Sequence, residues 1–246
     1  MSLSPLTPVT DYQSMLNRIF WFTSAAALAA VWMLRAKLPV LDVQLRQIDF
    51  TVGFGDDKLV PIPGGYLLPA LAMGLGSRVF RIHSLLARWL GVRERFDIDV
   101  IIGELARRTQ FDLQDVSDEQ LAQQRHKLMR RAFYRFVGGG EPQIDRHLIL
   151  RALDLWSWFW IGMEATFVFV LVSFVFLSTG LYWEGAIVLA STLGLAAVAL
   201  PVIRSECRRY AIAQVRAIVS EDDRAALVRA AFEDVLDHAI APRRAA

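Results

Sequence analysis

Two apolar runs lie back to back in the second half of the chain. Residues 165–183 and residues 185–203 each hold 19 residues without Asp, Glu, Lys or Arg. A hydrocarbon core about 30 Å thick is crossed by about 20 helical residues at 1.5 Å each, so each run is long enough to span. The connection around Glu184 is too short for a domain. The pattern therefore predicts a transmembrane hairpin over residues 154–204.

Two further apolar runs lie in the first half of the chain. Residues 19–34 are uncharged and are bounded by Arg18 and Arg35, whose long side chains can reach the headgroups. A first transmembrane helix is therefore predicted over residues 19–35. Residues 59–77 are also uncharged but include three prolines and four glycines, which membrane helices tolerate. We interpret this run as a bent second span, with a re-entrant or interfacial segment as the alternative.

Polar and basic segments separate these runs. Residues 36–58 form a polar loop, and the alternating β-branched and aromatic residues over 48–54 are typical of a short strand. Residues 78–92 place apolar positions three or four residues apart among arginines, which predicts a basic amphipathic helix on an anionic membrane surface. The basic residues expected at this surface, before and after the hairpin, are Arg78, Arg81, Arg88, Arg204, Arg208 and Arg209.

The polar region over residues 93–153 is predicted to be helical and cytoplasmic. Residues 117–120 (SDEQ) have the pattern of a capping box, and the helix that they open runs to about Val137. A second such pattern, SEDD at residues 220–223, opens a helix within the C-terminal cytoplasmic region 205–246. The cations expected to dock a partner, all on the first of these helices, are Arg125, Arg130, Arg131 and Arg135.

Together these elements predict an all-α polytopic membrane protein. It has about four transmembrane helices in two pairs, a helical cytoplasmic region and a short extended periplasmic loop, with residues 1–90 forming the N-terminal membrane region. Lysine and arginine favour the cytoplasmic side, so the arginine-rich flanks place both ends of the hairpin inside. With four spans, both termini are cytoplasmic in a bacterial inner membrane. With three spans, the N-terminus is outside.

Composition narrows the function classes. The chain has 246 residues, 54% of them hydrophobic, and a net charge of +2, which gives no reason to expect nucleic acid as a partner. A single cysteine and four scattered histidines predict neither a disulfide framework nor a metal site. The sequence contains no recognisable catalytic constellation and no phosphate-binding loop. We therefore expect no enzyme activity, no cofactor and no metal.

Residues 51–56 read TVGFGD, and this segment resembles the selectivity filter of potassium channels, where backbone carbonyls replace the ion's hydration shell. The resemblance implies an assembly of four copies. The residues that would supply the carbonyls are Thr51, Val52, Gly53, Phe54 and Gly55. A pore helix over residues 40–50 would carry several charges, and Phe50 stands where the channels have a hydroxyl residue. The alternative is a periplasmic strand and glycine turn.

Glu164 is the one acidic residue near the membrane depth of the hairpin. An ionisable residue inside a membrane is a functional candidate by default, which makes Glu164 an ion-pathway candidate. Three tryptophans just before it are typical of an interfacial belt. Glu164 would then lie near the boundary and could pair with Arg204 or Arg208 instead.

The leading functional hypothesis is a non-catalytic inner-membrane subunit. It anchors and docks partners in a multiprotein assembly, with the lipid bilayer and other membrane or cytoplasmic subunits as partners in a homo- or hetero-oligomer. Secretion machines, conjugative-transfer machines and membrane defence effectors use small proteins of this build, which is an analogy only. The alternative is an oligomeric cation channel built on residues 51–56.

Overall fold

The computed structural model describes residues 8–54, 58–114, 116–138 and 141–244. The elements in chain order are α1 (Tyr12–Lys37), α2 (Pro39–Arg46), β1 (Phe50–Phe54), β2 (Lys58–Ile62), α3 (Gly64–Phe80), α4 (Ile82–Trp89), α5 (Val92–Arg95), π1 (Phe96–Ile102), α6 (Gly103–Arg108), α7 (Asp118–Leu128), π2 (Met129–Tyr134), α8 (Arg135–Val137), α9 (Arg146–Ser178), α10 (Tyr182–Ile218) and α11 (Asp222–Arg244). The prediction of a largely helical chain is confirmed.

Three helices in the described part of the chain, α1, α9 and α10, are long and apolar enough to cross a membrane. They indicate a membrane location. The fourth expected span is not among them. The apolar run 59–77 begins with strand β2, so that the helix it contains, α3, has only 17 residues.

The chain divides into two compact units. The first contains Met1–His83 and Trp156–Ile203, and the second contains Ser84–Leu155 and Arg204–Ala246. Both α9 and α10 are continuous helices with residues in each unit.

The first unit is a helical bundle in which helices consecutive in that unit alternate in direction. Asn17, near the start of α1, accepts a hydrogen bond from Arg78, near the end of α3, so these two helices are antiparallel. They approach closely at Gly74, where any Cβ would overlap the side chain of Ser24. Small residues allow such close crossings between membrane helices.

Helix α9 runs parallel to α1, and α10 returns antiparallel to α9. Ala30 of α1 packs with Val168, Val172 and Phe176 of α9 in a buried apolar cluster. The turn between α9 and α10 includes Gly180, whose φ of 83° lies in the left-handed region that glycine adopts without cost. The hairpin therefore turns just before Tyr182, slightly earlier than the break around Glu184 that the sequence indicates.

Strands β1 and β2 form an antiparallel ladder between α2 and α3. Phe50 pairs with Ile62, and Phe54 pairs with Lys58. A short strand is predicted over residues 48–54, but its partner strand lies in the segment interpreted as the start of a span. Pro61 and Pro63 fit this arrangement, since proline is disfavoured inside regular helices.

The second unit has its own buried core. Its largest fully buried side chains include Phe136, Phe232, Leu105 and Leu128, and Phe232 also stacks on Phe111 with ring centroids 5.1 Å apart. The first predicted capping box is confirmed, because Ser117 caps α7 and exchanges hydrogen bonds with Gln120. The second prediction is wrong, because α11 begins at Asp222 and the Ser220 hydroxyl donates to the Ala217 carbonyl.

Candidate functional site within the helical bundle

Three helices of the first unit bring a carboxylate and two hydroxyls together. Glu164 of α9 is 1% exposed. Its Oε2 accepts hydrogen bonds from the Thr23 hydroxyl of α1 at 2.5 Å and from the Ser77 hydroxyl of α3 at 2.7 Å. Both hydroxyl residues are buried. A buried carboxylate is costly unless it is paired or hydrogen-bonded, so these donors hold Glu164 inside the bundle.

His83 completes this cluster at the junction of α3 and α4. Helix α3 ends at Phe80, and Arg81, which caps its C-terminus, has a φ of 50° that is uncommon for a residue with a side chain. The ring of His83 lies 6.2 Å from the ring of Trp160 on α9. Its Nδ1 is 3.8 Å from Oε1 of Glu164, which is too long for a hydrogen bond but within the range of an ion pair.

This geometry corrects the expectation for Glu164. The carboxylate is enclosed by the bundle, with 1% of the residue exposed. Its side-chain donors are Thr23 and Ser77, and neither Arg204 nor Arg208 is among them. Sequence reasoning missed the two hydroxyls and His83 as site residues. The signal available in the sequence was the presence of Thr23 and Ser77, two polar residues within the otherwise apolar stretches of α1 and α3.

An arginine cluster lies toward the other end of α1. Arg35 is buried, donates to Asp42 at 2.7 Å and stacks its guanidinium 3.8 Å from the ring centroid of Tyr66. The hydrogen bond from Arg46, together with that from Arg35, lowers the pKa of the Asp42 carboxyl below its usual value. A second carboxylate, Asp49, lies 4.0 Å from Arg35. These contacts join α1, α2 and α3, which is a structural role.

The potassium-filter prediction falls on the β-hairpin. Residues 51–54 belong to β1, whereas Gly55 lies outside the described residues. The backbone of β1 pairs with β2, while a filter directs its carbonyls at the ion. The potassium filter therefore stays a prediction, and the pairing of β1 with β2 does not favour it.

The predicted docking cations fall into two groups. Arg125 faces inward and donates to Asp97 at 3.2 Å, with only 12% of its side chain exposed, so its expected role in docking stays a prediction that this burial does not favour. Burial raises the pKa of Asp97 to about 6, although the nearby charges of Arg93 and Arg125 oppose this rise. Arg130 and Arg135 are exposed, while Arg131 is exposed and also pairs with Asp234.

The arginines expected at the membrane surface are mostly exposed. Those at the surface in the structure are Arg81, Arg88, Arg204, Arg208 and Arg209. Arg78 is half-buried through its hydrogen bond to Asn17. Within the described residues, no group of three His, Cys, Asp or Glu side chains is placed to hold a metal ion.

Three long apolar helices and a buried polar cluster between helices define a helical membrane protein. The chain belongs to the YmfE protein family, which it matches over residues 11–234. A search of curated proteins finds no match, and a search of solved structures finds none either.

Proposed function

We propose that this protein is a non-catalytic subunit of the bacterial inner membrane that docks a partner with an acidic surface. The helical bundle serves as the anchor, and the second unit lies in the cytoplasm. The role rests on one observation, an exposed cationic face on the second unit. It consists of Lys127, Arg130 and Arg135 around the exposed ring of Tyr134.

The composition of this face favours a protein partner. Arginine and tyrosine are enriched in protein interfaces, and clustered cations complement an acidic surface. In the second unit, Arg125 and Arg131 already have acidic partners in Asp97 and Asp234. The remaining cations of the face are therefore available for binding in trans.

Four spans with both termini inside accord with the arrangement of the bundle. Helix α3 is antiparallel to α1 and covers the depth from Arg35 to Asn17, since Gly65 lies against Arg35 and Arg78 bonds to Asn17. Its 17 residues are about 26 Å long, slightly less than a hydrocarbon core of about 30 Å. Local thinning and snorkelling of the flanking Arg78 can make up the difference.

Contacts with other subunits can also form inside the membrane. The most apolar 18-residue stretch of α10 has no buried residue, and Leu195 and Val198 are 72% and 68% exposed. This surface faces lipid or another protein. It supports assembly into an oligomer but does not select a partner.

The docking role is tested by a charge-reversal pair with a matched control. Arg130→Glu/Arg135→Glu removes the cationic face. Arg146→Glu/Arg216→Glu makes the same charge change at two exposed arginines of the second unit that lie on other helices, α9 and α10. Complexes are isolated from native membranes in mild detergent, and their mass and composition are measured. We expect a stoichiometric complex with a second, identified protein that is lost only in the first pair.

Two results would overturn this proposal. One is a wild-type protein that is isolated without any second protein. The other is an equal loss in both pairs, which would indicate a general electrostatic attraction, such as that of an anionic lipid surface, in place of a defined face.

A further inference from the structure

The two oxygens of the Glu164 carboxylate have different surroundings. Oε2 accepts the hydrogen bonds from Thr23 and Ser77. Oε1 has no side-chain hydrogen-bond partner among the described residues and lies 3.8 Å from Nδ1 of His83, whose backbone N–H also stabilises the carboxylate. One oxygen is therefore occupied by two donors, and the other faces a nitrogen that can carry a proton.

The chemistry of this pair suits a proton better than a metal ion. A carboxylate only accepts hydrogen bonds, whereas imidazole has hydrogen on one nitrogen when neutral and on both when charged. Because the hydroxyls of Thr23 and Ser77 donate directly to Oε2, their lone pairs do not converge with the carboxylate on a shared cation position. A sodium ion would find only one oxygen, Oε1, beside an imidazole.

The charged groups around this pair are cations. Within the first unit, the charged residues on or beside the helices around the site are Arg18, Arg78 and Arg81, with Arg35, Lys37 and Glu184 at the other end of the bundle. Arg18 donates to Ser157, Arg78 donates to Asn17, and Arg81 is exposed. His83 is thus the titratable side chain that faces Oε1 of Glu164 within the described part of the bundle.

We propose that Glu164 and His83 together bind one exchangeable proton, which is carried on Nδ1 of His83 beside Oε1 of Glu164 where α3 meets α4. Proton uptake forms one N–H bond and turns the ring into an imidazolium beside the carboxylate. Release breaks that N–H bond and restores the neutral ring. This site is independent of the docking face, because its four side chains all lie in the first unit.

The test is a titration of the four histidines in the full chain. Histidine is labelled with ¹⁵N, and the imidazole signals are recorded between about pH 5 and 9 in detergent micelles. His83→Gln assigns the signal of His83. We expect Glu164→Gln to lower the pH midpoint of His83 by about one unit or more, because the imidazolium loses its counter-charge. The midpoints of His126 and His147 stay unchanged.

Ser77→Ala provides a second variant with the opposite sign. Removal of a donor to Oε2 destabilises the carboxylate anion, most of all when the His83 ring is neutral and gives it no counter-charge. The pair therefore holds its proton more tightly, and the pH midpoint of His83 rises. This small change keeps the variant usable if Glu164→Gln does not fold. An unchanged His83 midpoint in Ser77→Ala would overturn the proposal. A shift of the His83 signals by sodium at fixed pH would also overturn it, because it would indicate a cation site.

Discussion

Ser77 donates a 2.7 Å hydrogen bond to Glu164, a residue 87 positions later in the chain. The bond ties α3 to α9 through a buried carboxylate. Hydrogen bonds to charged groups contribute about 1.5–3 kcal/mol when both partners are buried. This contact therefore contributes to the arrangement of the bundle as well as to the proposed proton site.

The first prediction concerns this bond. Ser77→Ala is expected to lower the free energy of unfolding by about 1.5–3 kcal/mol. Ser178→Ala is the matched control, because its exposed hydroxyl bonds only to the Val175 carbonyl of the same helix, and it should change stability by less than about 0.5 kcal/mol. Denaturant unfolding in detergent measures both. Equal effects in the two variants would contradict the structural role of Ser77.

The second prediction concerns the crossing of α1 and α3. A Cβ at Gly74 would overlap the Ser24 hydroxyl, whereas Gly76, two residues later, has no such neighbour within 4 Å. Gly74→Ala should destabilise the bundle by about 1–3 kcal/mol, because overpacking forces the helices apart. Gly76→Ala should leave stability unchanged or raise it slightly. The measurement is thermal unfolding of both variants in the same detergent. If Gly74→Ala unfolds at the same temperature as the wild type, the close crossing of α1 and α3 is ruled out.

The third prediction separates four spans from three. Val43 lies on α2 and is 62% exposed. Four spans place it outside, in keeping with the parallel packing of α1 and α9 and with the Lys37–Glu184 ion pair beside the hairpin turn, whereas three spans would place it inside. Val43→Cys should therefore react with a membrane-impermeant maleimide in intact cells. The wild type is the blank, since its single cysteine, Cys207, is buried.

Two controls have the same expected result in both topologies. Tyr182→Cys, at a residue that is 70% exposed in the hairpin turn, should label from outside. Arg146→Cys should label only after lysis. If Val43→Cys behaves like Arg146→Cys, α3 does not cross the membrane, and the parallel packing of α1 on α9 would be wrong as well.

The fourth prediction concerns pH and the second unit. Burial raises the pKa of Asp97 from 3.8 to about 6, so the folded chain binds this proton more tightly than the unfolded chain. The resulting stability is fully present below about pH 4 and is lost as pH rises through about 6. Asp97→Asn should remove this component of the pH dependence, because its side chain does not titrate.

The measurement compares unfolding midpoints of the wild type and the variant across this pH range. Asp99→Asn is the matched control, since Asp99 is exposed and lies on the same segment. Its pH dependence should follow that of the wild type. A wild-type slope that persists in Asp97→Asn would show that other groups cause it.

Local patterns determined a large part of this structure. The transfer free energy of a helix into a membrane is a sum over neighbouring residues, so the apolar runs alone indicated α1, α9 and α10. The cap at Ser117 depends only on residues within one turn of α7, and it too was predictable. The same pattern failed at Ser220, whose hydroxyl donates to the Ala217 carbonyl in the preceding turn.

Tertiary structure decided the rest. Arg125 and Arg130 are equivalent in a sequence pattern, but only Arg125 faces the buried Asp97. The partners of Glu164 lie up to 141 positions away, and no spacing rule connects them. A buried carboxylate is stabilised by donors that reach it in space. The sequence therefore determined which helices are long and apolar enough to cross a membrane, and the packing of the described helices determined which side chains surround Glu164.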